Sequence, residues 1–230
     1  TAGVLAAERA SAAHHEKVLQ VVSVSVNPGM LGRYQERVKQ LGGVLERVGS
    51  SGTLRMWQTT QGGADAGTIV VAIEYANAAA WAADSGKAQG DPEWRTIVSG
   101  LDEIRTLQGS SIWTEISPTS GAANEDRGSI LLVTGVEVKP GQLEEYRNRL
   151  SQGQVIIERL KLRGKLRVWQ ATIAGAGTGN VSVGVEYPDL GAYVADQAKL
   201  AGDAQWRELL AGLDAIRTLR GRWLYREVTP

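Results

Sequence analysis

The sequence predicts an α+β fold in which one unit is written twice, each copy running strand, helix, strand, strand, broken helix, strand. Three observations predict it. Residues 19–118 superpose without a gap on residues 131–230, with about two positions in five identical, so that LDEIRTLQG at 101–109 returns as LDAIRTLRG at 213–221. Within each copy, β-branched runs that read as strands alternate with apolar stripes at helical spacing. Between the copies lies PTSGAANEDRGS, rich in Ser, Gly and charge, which reads as an exposed linker. The expected organisation is an N-terminal extension over 1–18, a first repeat over 19–118, a linker over 119–130 and a second repeat over 131–230.

LQVVSVSV and ILLVTGVEV are the first strands, ending at Asn27-Pro28-Gly29 and Lys139-Pro140-Gly141. Proline suits the first position of a helix, because the N–H it lacks would have no partner there. Leu31, Tyr34, Val38, Leu41 and Leu45 then recur at intervals of three and four, giving a long amphipathic helix. LRMWQTT and TIVVAIEY, joined by QGGADAG, form a hairpin, as do LRVWQAT and NVSVGVEY around IAGAGTG. Asn77 and Asp189 can cap one further helix, Asp91 and Asp203 another. Trp94, Ile97, Leu101 and Ile104 stripe that last helix, mirrored by Trp206, Leu209, Leu213 and Ile216. In this reading Asp102 and Arg105 sit one helical turn apart as a solvated pair, and Gly109 permits the exit turn into the last strand.

This order is the ferredoxin-like, split βαβ arrangement, an antiparallel sheet with helices on one side. Two copies can cover their bare sheet faces by packing sheet to sheet within one chain. The arrangement resembles the dimeric α+β barrel superfamily in tandem-fused form and is similar to antibiotic-biosynthesis-monooxygenase-like and NIPSNAP-like proteins. The resemblance covers residues 19–230. It rests on element order, the Pro-Gly before the first helix, and the Asp-x-x-Trp-Arg segments at Asp91–Arg95 and Asp203–Arg207. It implies a monomer that is its own pseudo-dimer, with further homodimerisation open.

Strand parity assigns the side chains to faces. Ile69, Val71, Ile73 and Tyr75 belong under the helices, so Glu74 points to the other side with Arg55 and Trp57, joined from the last strand by Ser111, Trp113 and Glu115. The second copy supplies Arg167, Trp169, Glu186, Trp223, Tyr225 and Glu227. A hairpin symmetric about its tip sets Arg55 opposite Glu74 and Trp57 opposite Ala72, and likewise Arg167 opposite Glu186 and Trp169 opposite Gly184. Buried charges require partners, which leaves two readings of this set. It is either packing that closes a filled barrel, or a mostly apolar pocket with a few directed polar contacts.

Composition narrows the chemistry. Twenty-five basic and 25 acidic side chains leave no field to gather nucleic acid, and no apolar run is long enough to span a bilayer. Without cysteine there is no thiolate nucleophile or Cys-type metal site. The two histidines, His14 and His15, lie outside the repeats, and a metal is not expected there. Superfamily members that hold haem use a histidine from the domain, which neither repeat has, so no cofactor is expected. The glycine-rich tips join strand to strand and lack the helix that a phosphate loop needs. TAGVLAAERASAAHH is compatible with the tail of an export signal or a frayed helix, leaving periplasmic and cytoplasmic locations equally open.

The leading expectation is therefore a small-molecule binding protein for an aromatic or amphipathic ligand, using Arg55, Trp57, Glu74, Trp113, Glu115, Arg167, Trp169, Glu186, Tyr225 and Glu227. The resemblance implies an alternative, a cofactor-independent monooxygenase in which tryptophan holds an aromatic ring and arginine stabilises an enolate-like anion. The third is a scaffold with a filled barrel.

Overall fold

A computed structural model describes residues 16–117 and 128–230. Residues 1–15 of the expected extension, with the export-signal reading and both histidines, and most of the linker lie outside the described residues. Among the described residues, eight strands and six α-helices fall into two compact units. The first repeat contributes β1 (Val18–Val26), α1 (Leu31–Arg47), β2 (Thr53–Gln61), β3 (Ile69–Tyr75), α2 (Ala78–Gly90), α3 (Pro92–Gly100) and β4 (Arg105–Glu115). The second contributes β5 (Ile130–Val138), α4 (Leu143–Arg159), β6 (Lys165–Ile173), β7 (Val181–Tyr187), α5 (Leu190–Gly202), α6 (Ala204–Ile216) and β8 (Arg217–Glu227). All the pairings within each unit are antiparallel, in the order β2-β3-β1-β4 in one unit and β6-β7-β5-β8 in the other. That is the ferredoxin-like strand order, found twice.

The units trade short segments. Val228–Pro230 belong to the first unit, where Val228 N–H donates to Met56 O at 2.8 Å and Thr229 Oγ1 accepts from Met56 N–H at 2.9 Å. The second unit holds the mirror arrangement: Ile116 N–H donates to Val168 O at 2.8 Å, and Ser117 Oγ accepts from Val168 N–H at 2.9 Å. The tip of the first hairpin, Thr59–Ala66, also belongs to the second unit.

Helix faces and caps follow the sequence pattern. Tyr34, Val38, Leu41, Val44 and Leu45 are the buried residues of α1, and they pack on Ile69, Val71, Ile73 and Tyr75 of β3. Asn77 and Asp189 accept hydrogen bonds from the backbone N–H groups of Ala80 and Ala192, and Asp91 and Asp203 from those of Trp94 and Trp206. Each satisfies an amide that the helix itself leaves without a partner.

Three expectations are corrected. Pro28 does not start a helix. It is the second residue of a turn closed by Met30 N–H to Asn27 O at 3.0 Å, with Gly29 at φ 78° in third place. Pro140 and Gly141 repeat it, with φ 77° at the glycine. A type II turn wants a fixed negative φ followed by a positive one, so Pro-Gly serves the turn rather than the helix.

Asp102 and Arg105 do not share a helix either. In the first repeat the helix ends at Gly100, a single tight turn covers Leu101–Glu103, and Arg105 opens β4. In the second the helix continues to Ile216, and there Asp214 does meet Arg217 at 3.1 Å. Gly109 lies within β4 rather than in an exit turn. The register against β1 slips beside it, between Ser23 and Val24, and the register of β8 on β5 slips at the matching place, between Gly135 and Val136. A glycine beside a bulge relieves the crowding of the extra residue.

Candidate functional site

The registers build the helix-free face of each sheet row by row. In the first unit one row is Thr53, Glu74, Leu19 and Trp113, the next Arg55, Ala72, Val21 and Ser111, the third Trp57, Val70, Ser23 and Gly109. The second unit reads Lys165, Glu186, Leu131 and Tyr225; then Arg167, Gly184, Val133 and Trp223; then Trp169, Ser182, Gly135 and Gly221. Thus Arg55, Trp57, Glu74 and Trp113 share a face, as do Arg167, Trp169, Glu186 and Tyr225. Glu115 and Glu227, two residues further along their strands, keep the same parity.

The hairpin register differs from expectation by two residues. Glu74 stands across from Thr53 and Arg55 across from Ala72; Glu186 stands across from Lys165 and Arg167 across from Gly184. Trp57 and Trp169 accordingly face Val70 and Ser182. The hairpins are not symmetric about their tips, because β2 leaves β3 after Gln58 and its last residues join the other unit. A slip of two preserves the face of every side chain, which is why the assignment of faces survives the wrong register.

On both faces arginine stacks on the tryptophan two residues along the same strand. The Arg55 Cζ lies 4.3 Å from the Trp57 ring centroid and that of Arg167 4.5 Å from Trp169. Both indoles are buried, at 4% and 7% exposure, and so are strong cation–π partners for the guanidinium. Lys17 Nζ is 2.9 Å from Glu74 Oε1, and Glu186 Oε1 accepts from the Gly128 N–H at 2.7 Å. Trp113 Nε1 donates to Ser111 Oγ at 2.8 Å. The backbone N–H of Glu115 donates to Lys17 O and that of Glu227 to Ser129 O, both at 2.9 Å. Burial pushes the Tyr225 phenol up to about 12, against the opposing pull of its hydrogen bond with Thr59.

Trp223 is the largest difference between the faces. Its six-membered ring reaches over two glycines: the point where a Cβ of Gly221 would stand is 2.6 Å from the indole, and that of Gly135 is 3.0 Å from it. The first hairpin tip closes on its other edge, with Gly62 against Cδ1 and Asp65 Oδ2 accepting from Trp223 Nε1 at 2.7 Å. Sequence reading places Trp223 on this face but misses Asp65, Gly135 and Gly221. A glycine facing a glycine across two strands, beside a tryptophan, is the signal that could have found the arrangement.

Two open grooves also lie in the second unit, and none of the ten expected site residues lines either. One, of about 400 Å³, runs between α4 and α6 past Arg149, Val155 and Glu208. The other, of about 500 Å³, lies beside the second hairpin tip, with Glu137 and Arg220.

No family model and no curated protein matches the chain in sequence. Solved structures do match it over nearly their whole length. An anthrone oxidase-like protein aligns with a TM-score of 0.63 at 14% identity, covering 93% of this chain and 92% of its own. A chlorite dismutase variant from Candidatus Nitrospira defluvii gives 0.55 at 10% identity, with 97% and 95% covered. A haem-binding protein from Thermus thermophilus gives 0.54 at 10% identity, with 93% and 91% covered. These proteins and this chain share a two-repeat, ferredoxin-like α+β fold. At these identities the likeness is one of fold.

The haem-binding neighbour raises the question of whether this chain's residues suit haem. The described residues contain neither histidine nor cysteine, since the only histidines are His14 and His15. Met56 is fully buried in the helix-side core and Met30 precedes α1. Burial raises the Tyr34, Tyr75, Tyr146, Tyr187 and Tyr225 phenols above their ordinary value, which disfavours a phenolate ligand. The described residues therefore offer a haem iron neither a histidine nor a cysteine, and these five phenols are poor ligands for it. Nor do the described residues bring three metal-ligating side chains together, and none of their helices is long and apolar enough to cross a membrane.

Proposed function

We propose that the protein binds a small aromatic or amphipathic molecule on the helix-free faces of its sheets. The observation that carries this reading is the Arg-on-Trp stack, present on both faces with the same geometry. An indole already polarised against a guanidinium, among small apolar side chains and paired acids, provides an aromatic surface and a fixed charge to orient a ligand. The anthrone oxidase-like neighbour supports an aromatic ligand class through fold analogy.

The test is a panel of hydroquinones and related phenols. Ligand-induced thermal shift and calorimetry should register binding to the wild type, weakened about tenfold or more in Trp57→Ala, Trp169→Ala or both. Survival of all binding in both variants would remove the reading. Oxygen uptake on the same panel separates a binder from an oxygenase: turnover that disappears in folded Arg55→Ala or Arg167→Ala establishes chemistry. A second reading, a filled scaffold, is favoured by the burial of Trp57 and Trp169 and by the position of both grooves elsewhere. It predicts no thermal shift with any member of the panel.

A further inference from the structure

The two faces carry the same stack but differ at one spot. In the second unit the Trp223 indole covers Gly135 and Gly221, is gripped along its edge by Gly62, and spends its only donor on Asp65. In the first unit the residues at the matching places are Ser23, Gly109 and Ser111. There, among the described residues, no heavy atom beyond Gly109 and its two chain neighbours lies within 4 Å of the point where a Cβ of Gly109 would stand. Trp113, the aromatic side chain nearest along β4, is tied back to Ser111 by its Nε1. A backbone that seats a bicyclic ring in one repeat thus recurs in the other with the seat exposed.

We infer that the first repeat holds the competent face, that its Ser23–Gly109–Ser111 seat takes a flat aromatic of about indole size, and that Trp223 is a built-in occupant filling the corresponding seat of the second repeat. This rests on the binding reading above and assigns it to one face. The occupant is argued from shape. In both repeats the floor is a strand pair whose register slips at the same rung; that rung pairs Gly135 with Gly221 in the second repeat and Ser23 with Gly109 in the first, so the floor carries no side chain in one and a single hydroxymethyl group in the other. In the second repeat the ring lying on that floor is an indole. Van der Waals contact with bare backbone suits a planar ring better than a branched or aliphatic group, because the whole of one π-face reaches optimal separation together.

The experiment is isothermal titration calorimetry with indole and with 2-naphthol on the full chain. Wild type should take up one equivalent. Ser111→Trp should copy the internal occupant into the first repeat and weaken binding at least tenfold, and Gly109→Val should do the same by raising a branched side chain from the floor. Trp223→Ser should open the second seat and raise the stoichiometry to two. Circular dichroism and a cooperative melt confirm that each variant folds, and Gly109→Val serves if Ser111→Trp does not. The inference is overturned if folded Ser111→Trp and Gly109→Val bind as tightly as wild type, or if wild type binds nothing and Trp223→Ser binds one equivalent. In those cases the binding reading survives but its site lies elsewhere or in the second repeat. If neither wild type nor Trp223→Ser binds either probe, the binding reading itself fails.

Discussion

The loop between the first helix and the second strand reads GSSG at 49–52 in the first repeat and KLRG at 161–164 in the second, yet the same buried aspartate holds both. Asp84 Oδ2 accepts from the Ser51 N–H at 2.7 Å and from the Ser51 and Ser50 hydroxyls at 3.0 and 3.2 Å, while Oδ1 meets Lys87 at 3.0 Å. Asp196 Oδ2 accepts from the N–H groups of Arg163 at 2.7 Å and Gly164 at 2.9 Å. The side chains have diverged, whereas the capture of the backbone has not. The difference, small and polar against bulky and basic, amounts to two ways of writing one anchored turn. The difference of Ser111 against Trp223, by contrast, lies on a sheet face.

Removing each anchor sharpens this comparison, and the larger effect belongs to Asp196. Asp196→Ala leaves two amides without an acceptor, in a place where Asp196 itself is 1% exposed. A destabilisation of about 2–4 kcal/mol is expected. Asp84→Ala orphans one amide, and the two serine hydroxyls can turn to water, so about 1–2 kcal/mol is expected. Urea titrations of both variants measure the order. Equal losses would mean that the hydroxyls count as much as an amide.

The first anchor also carries a pH signature. Burial raises the Asp84 carboxyl, but hydrogen bonds from Lys87, the Ser51 amide and the two serine hydroxyls outweigh it and bring the pKa down to about 2. A carboxyl lower in the folded than in the unfolded chain stabilises the fold above its ordinary pKa of about 3.9. That contribution declines as the pH falls through its folded value. Stability measured from pH 6 down to pH 2 should therefore fall less steeply below pH 4 in Asp84→Asn than in wild type, and parallel curves would contradict the assignment.

The parts of this fold that could be read from sequence are those fixed by local chemistry. Asn77, Asp91, Asp189 and Asp203 cap helices because a short acceptor suits a helix start anywhere, and the period of two placed Arg55, Trp57 and Glu74 on one face without knowledge of their neighbours. What was missed depends on distant chain. The hairpin register turned on where Gln58 parts from β3, which the other unit decides. The seat of Trp223 needs Asp65, 158 positions away. Asp84 and Asp196 went unremarked as solitary acids in alanine-rich helices, and their identical placement in both repeats was the available clue. The faces were therefore legible before their contents.

The smallest expected effect returns to the same loop. After α1, Gly49 takes φ 67° and closes a turn with its own N–H on Glu46 O at 3.0 Å and the next N–H on Leu45 O at 2.9 Å. The second repeat makes the same two bonds, Lys161 to Glu158 O and Leu162 to Ile157 O, both at 3.0 Å, but with a lysine at φ 50°. This helix ending favours glycine, since a Cβ crowds the backbone in the left-handed region, at a cost of about 1 kcal/mol. Part of that returns on substitution as the greater freedom of glycine in the unfolded chain. Lys161→Gly should thus raise the melting temperature by about 1–3 °C, and Gly49→Lys should lower it by a similar amount. Opposite signs at equivalent positions would show that the backbone conformation, rather than the residue that adopts it, is what the two repeats hold in common.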